Sequence, residues 1–368
     1  MLNEELISIN ASHSIYVNRL ASGLGNDAVS FVDKVNADIA ARLEREIGKN
    51  LTPLRREKLL EDIHAITASN LKEYTQLVAS ENKEFGGYES AFQAKSVNGL
   101  LASVETVGAT TAVVNTAAKN TLITLGEGSY TTYNEMLKQY WSSNATQVTN
   151  IVGNGFQSGL STRAIANQVM DEVGTRLGKT KKQAITLARN GTNHYANQAR
   201  KSYFEETDVV VGTRRIATID SATSQYCRGV DQTVVMKSEA GYSNAFAPFH
   251  TNCRTANIPE IDARYTQEDD GGERATNFRD AESGLLDPKP VNSKNIYYDE
   301  LRKLDAPSQD AVLGVSLGKA YRKMLRDGGT PAEFAKLTID EKHNKAYTLT
   351  ELKSQDNTLS RILNNQAK

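Results

Sequence analysis

The stretch APFHTNCRTANIP, residues 247–259, places His250 three residues before Cys253. The whole chain holds two cysteines, Cys227 and Cys253, and five histidines, so this pair stands out. Three kinds of chemistry are open to it. A structural zinc ion takes four ligands, commonly in short-spaced Cys or His pairs. His250 and Cys253 form one such pair; the other half is Cys227, with Asp220 or Asp231 supplying an oxygen. A Cys-His nucleophile is the second option, as in a thiol peptidase or transferase, but it needs a lowered thiol pKa and access, and no local signature accompanies these residues. The third option is structural: two small buried thiols and a hydrogen-bonded loop histidine. The structural reading is favoured. No catalytic residue and no cofactor are expected, and zinc at Cys227, His250, Cys253 and Asp220 is the only metal the residue types suggest.

Elsewhere the residues give little support to an enzyme. There is no HExxH, no Walker lysine loop and no G-x-S-x-G. Asp340 to His343 read DEKH, but among 44 carboxylates such a grouping is ordinary on a solvated face. His13, His64 and His194 fall in helical patterns, where hydrogen bonds between helices are expected. Trp141, Tyr297 and Tyr298 read as packing residues, since no basic groove accompanies them. Gly153-Asn154-Gly155 lacks the spacing of a nucleotide loop and reads as a turn.

The elements that would position these residues are mainly helical at first. Val35, Ile39, Leu43 and Ile47 recur every fourth residue, the step that keeps side chains on one helix face. Thr52 before Pro53 is an N-cap and N1 pair, followed by the stripe Leu59, Ile63, Ile66. Ser161 caps a second pattern, Ile165, Val169, Val173. A long helix from about 183 bears Arg189, Asn193, His194 and Asn197. Composition then shifts to β-branched runs, DVVVGTRRIATID and QTVVM, which predict short strands. Asp305 with Pro307 starts a later helix, and Thr330, Pro331 and Glu333 form a capping box. The predicted fold class is α+β, with a predominantly helical N-terminal region, a small mixed α/β domain and C-terminal helices. The predicted divisions are a helical region at 1–150, a core with short strands at 151–261, a linker or surface excursion at 262–295, a helical part at 296–353 and a polar tail at 354–368.

With 43 basic and 44 acidic side chains, the totals give no electropositive coat for nucleic acid. The first ten residues carry no leader-like apolar core, so none is expected. The least polar region, 100–125, is broken by Glu105, Asn115, Lys119 and Asn120, so no membrane span is expected; its small residues suit a close-packed helix or an adaptable interface. Two cysteines build no disulfide framework and fit a reducing compartment.

Four blocks in order carry a resemblance: ARNGTNHYANQAR (188–200), RRIATIDSATSQYCRGVDQTVV (214–235), PFHTNCRTANIPEI (248–261), and YYDELRKLDAPSQDAVLGVSLGKAYRKML with a late YTLTELK. Together they resemble the phage Mu F-like minor head proteins, also called head morphogenesis proteins, over roughly residues 150–353. On that pattern Arg189 matches the helix arginine, Thr218 and Asp220 the T-x-x-D element shortened by one, and Cys227 the second cysteine of C-x-x-C. Asp231 matches an acidic residue near a glycine; Pro248, His250, Cys253 and Arg254 match the last element. Ser224 stands where the first cysteine would be and Thr255 replaces the final one, which removes two soft ligands.

The resemblance implies a minor capsid protein of a tailed bacteriophage, present in few copies and acting in head assembly near the portal and in genome packaging or ejection. Its implied partners are the portal protein, the major capsid protein and, nonspecifically, packaged DNA. Its implied location is the capsid interior or portal vertex, after assembly in the host cytoplasm. No effector domain is expected beyond the matching block. Two alternatives stand beside this reading: an effector enzyme carried in the virion, a thiol peptidase or transferase, and a transient portal- or scaffold-binding assembly factor.

Overall fold

The computed structural model describes residues 2–49, 52–101, 104–126, 129–265, 272–279 and 283–365, with the side chains of 2, 144, 166, 169–181 and 287 outside that set. The fold is α+β, as expected from the sequence. It opens with two long helices, α1 (Leu2–Glu44) and α2 (Pro53–Leu100), then the short α3 (Thr111–Asn120). A hairpin of β1 (Ile123–Gly126) and β2 (Ser129–Thr131) leads into α4 (Tyr133–Gln157) and α5 (Thr162–Glu206). The strand-bearing part holds β3 (Val210–Ile216), β4 (Ile219–Asp220), the short helix α6 (Gln225–Val230), β5 (Val234–Met236), β6 (Ala256–Ile261), β7 (Glu273–Arg279) and β8 (Leu286–Asn292). Last come α7 (Tyr297–Arg302), α8 (Ala306–Leu313), α9 (Val315–Arg326), α10 (Pro331–Leu337), the paired β9 (Ile339–Asp340) and β10 (Lys345–Ala346), α11 (Leu349–Ser354) and α12 (Thr358–Asn365).

The helix starts follow the local sequence. Thr52, Ser161 and Asp305 each accept a backbone N–H of the first turn, and Thr330 with Glu333 forms a reciprocal capping box. Most of the predicted stripe residues are buried: Val35, Ile39, Leu43, Leu59, Ile63 and Ile165 share one core with Trp141 and Val152, whereas Ile47 lies in the turn past the end of α1 and, like Ile66, is only half-buried. Val169 and Val173 lie outside the described side chains. The three helix histidines bond between helices as expected. His13 donates to Glu89 at 2.6 Å, His64 pairs with Thr149 at 3.3 Å, and His194 donates to the Ala118 carbonyl at 2.8 Å.

Four expectations are corrected. The boundary at 150 falls inside α4, and the helical core continues through Leu187 and Tyr195 of α5, so the bundle ends near 206 rather than 150. The predicted turn at Gly153 to Gly155 is helical, because a Cβ at Gly155 would come within 2.7 Å of Ile165, and glycine lets α4 and α5 close on each other. The region 262–295 is, in its described residues, a paired-strand excursion at the surface rather than a linker. Its β7 and β8 form an antiparallel hairpin, with β7 parallel to β4, and Pro288 and Pro290 sit on β8, an edge strand where missing donors cost little. The tail at 354–368 contains α12, whose Leu359, Ile362 and Leu363 recur at helical spacing and are buried beside Leu317 and Met324 of α9.

Two three-stranded sheets result, ordered β5-β3-β6 and β4-β7-β8. The N-terminus of α1 is tied to the first of them: Asn3 accepts from the Ile261 backbone N–H and donates to Glu260. Among the described residues no helix is long and apolar enough to cross a membrane.

Candidate functional site

The loop between β5 and β6 is shaped by amide side chains. Asn257 Nδ2 donates to the Ala245 carbonyl and to Thr213 Oγ1, while its Oδ1 accepts from the Ala247 N–H at 2.9 Å. Next come a cis Ala247–Pro248 bond, the buried Phe249, edge-on to Tyr226, and Asn252 at φ +58°, a left-handed position that asparagine tolerates. Helix α5 clamps the loop from below. Asn190 accepts from the Asn252 N–H at 2.7 Å, and Asn193 donates to the Cys253 carbonyl at 2.7 Å.

Opposite the loop, Ser224 caps α6 by accepting from the Cys227 N–H, which turns the Cys227 side chain towards His250. Cys227 Sγ lies 3.1 Å from His250 Nε2 and 3.7 Å from Cys253 Sγ, and Ser224 Oγ lies 2.8 Å from the same ring nitrogen. His250 Nδ1 donates to the Thr251 carbonyl at 2.8 Å. Both thiols are buried and the imidazole is half-buried. The adjoining Cys253 sulfur, with burial, pushes the Cys227 thiol up. Burial opposes charge on Cys253 too, but hydrogen bonds from Cys227 and His250 outweigh it and hold Cys253 well below its ordinary value. The adjoining cavity, bordered by Thr218, Ser224, Cys227, His250 and Thr255, has a volume of about 10 Å³, enough for a single water or ion.

Two ion pairs brace this loop framework. Arg254 forms a two-pronged pair with Asp220 at 2.5 and 2.7 Å, and Asp220 also caps its own turn through Ala222 and Thr223. Asp231 is wholly enclosed. It accepts from the N–H groups of Ala217 and Tyr297 and pairs with the buried Arg274 at 3.1 Å. Tyr297 closes the circuit by donating to the Asp220 carbonyl at 2.7 Å.

Of the residues singled out in the sequence, Thr218, Asp220, Cys227, Asp231, Pro248, His250, Cys253 and Arg254 gather on this one joint. Arg189 does not: it is exposed on α5, and the neighbouring Asn190 makes the loop contact instead. Asp220 is no partner of the Cys-His group, because both its oxygens are engaged by Arg254 and its own turn. Residue patterns placed Asn193 on the long helix without giving it a part in the site, and did not single out Asn190, Asn257 or Arg274. For the two helix asparagines a signal exists: Asn190, Asn193, Asn197 and Arg200 lie at steps of three and four along one helix, a polar stripe where solvent alone would not require amides.

A second polar centre lies where α1, α2 and α5 meet. Glu89 is fully buried, 2.7 Å from Arg200 Nε, 2.6 Å from His13 and 3.0 Å from Gln93. Burial would raise its carboxyl, but the Arg200 guanidinium and His13 overcome that and hold it down to about 2. Nearby, burial lowers His194 to about 4.

Comparison with protein-family models, with curated proteins and with solved structures gives no match to this chain.

Proposed function

We propose that the chain is a structural minor capsid protein of a tailed phage, acting in head assembly near the portal and in genome packaging or ejection. The four ordered sequence blocks motivate the reading. The observation that carries it is where their residues meet: Asp220, Cys227, Asp231, His250, Cys253 and Arg254 converge on one braced joint, and the cavity beside its Cys-His group measures only about 10 Å³. A joint of that kind favours a load-bearing role over turnover of a substrate. Portal and major capsid proteins are the partners proposed, bound through helix faces of the bundle.

Mass spectrometry of proheads and mature particles from the encoding phage tests this. Presence in both at low copy number is expected. Absence from both overturns it, and presence in proheads alone would replace it with the transient assembly factor.

One observation favours a second reading, a thiol enzyme: Cys227 Sγ and His250 Nε2 are within 3.1 Å. Iodoacetamide labelling of the folded, reduced chain separates the two. The structural reading expects both thiols to react far more slowly than in urea; rapid labelling of Cys227 or Cys253 favours the enzyme.

A further inference from the structure

We propose that Cys227, Cys253 and His250 bind one zinc-class transition-metal ion, whose fourth position faces the Ser224 and Thr255 hydroxyls.

The first argument is distance. Two thiolates on a tetrahedral ion with metal–sulfur bonds of roughly 2.3 Å stand about 3.8 Å apart. The two sulfurs here are 3.7 Å apart, and the three ligand atoms all lie within 4.8 Å of one another. Packing of two neutral thiols does not require a ring nitrogen aimed at the same point.

The second argument is the orientation of the imidazole. His250 Nδ1 is committed as a donor to the Thr251 carbonyl, which leaves Nε2 as the nitrogen that faces the sulfurs. A backbone acceptor on one ring nitrogen is the usual way a metal-binding histidine is oriented and its other nitrogen kept available.

The third argument is what surrounds the three ligands. The cavity at this point holds one atom-sized guest. Thr255, 3% exposed, lines it, and its Oγ1 has no oxygen or nitrogen partner among the described residues. Ser224 Oγ borders it from the other side, 2.8 Å from Nε2. An ion held by the two sulfurs and Nε2 is a single guest of that size, and these hydroxyls border its fourth position. Two sulfurs and one nitrogen select zinc, or cobalt in its place, over magnesium or calcium. On binding, the ion displaces the protons shared by the two thiols and the ring, which pass to solvent. The ion would join the start of α6 to the loop that α5 holds through Asn190 and Asn193.

This site is independent of the head-assembly reading: particle composition and metal content can fail separately. The test uses the full chain purified under reductant, loaded with zinc, dialysed and measured by elemental analysis. About one zinc per chain is expected, falling below about a tenth in Cys227→Ser and Cys253→Ser, with Arg189→Ala unchanged. Because the serine variants can misfold, the wild-type chain is also loaded with cobalt. A tetrahedral visible spectrum with a sulfur-to-cobalt charge-transfer band supports the site. Sub-stoichiometric zinc, or bound cobalt with no such band, overturns it, as does undiminished zinc in folded serine variants.

Discussion

The molecule has two buried polar centres built on opposite principles. In the bundle, Glu89 is surrounded on every side: Arg200, His13 and Gln93 all reach it, and they come from three different helices. At the joint, charge is divided among small units. Asp231 with Arg274 is sealed, Asp220 with Arg254 lies partly in solvent, and the Cys-His group borders a gap. The first arrangement is a single anchor whose members depend on one carboxylate. The second is distributed, so that losing one member leaves the others in place. Enclosure, rather than the number of charges, should decide how much each contributes.

The sharpest way to break that comparison is Glu89→Ala. It leaves Arg200 buried without its carboxylate, and loss of one partner of an enclosed pair costs about 3–5 kcal/mol. Urea denaturation followed by circular dichroism should show a large fall in midpoint; a loss under about 1 kcal/mol would mean the bundle does not lean on this carboxylate.

Acid should act on the bundle next. His194 titrates near 4 in the native chain against an ordinary 6.5, because it is buried. Between those values the unfolded chain takes up a proton that the folded one refuses. Stability is therefore full above about pH 6.5 and declines as pH falls towards 4, by up to about 3 kcal/mol. Glu89 adds a further loss only below its ordinary 4.5, as pH falls towards 2. Denaturation midpoints at several pH values check this, and His194→Asn should flatten the upper part of the decline.

The smallest effect is expected at the joint's exposed pair. Arg254 is 31% exposed, so Arg254→Lys, which keeps the charge and loses the two-pronged geometry, should cost about 1 kcal/mol or less. A cost matching that of Glu89→Ala would erase the distinction between the centres.

Features with a local cause were legible in the sequence. Thr52, Ser161, Asp305 and Thr330 cap helices where their side chains predict, and most of the apolar stripe residues are buried. The ordered blocks also pointed to most of the joint. What escaped depends on distant partners. Arg274 sits in a charged, glycine-rich stretch that looks solvated until Asp231, 43 residues earlier, is placed beside it. Asn257 serves three groups through tertiary geometry, which no spacing records. Helix α12 was hidden for a different reason: its apolar residues are few and its polar composition outweighed their periodicity.

Helix α5 carries a consequence of its own. Thr186, Asn190, Asn193, Asn197 and Arg200 address the loop, strand β6 and Glu89 in succession from one continuous rod. Each added residue turns everything beyond it by about 100°. A single insertion near Gly191 would therefore put the clamp and the anchor out of phase with each other, although neither would lose an atom. This stretch can change length only by giving up one attachment or the other.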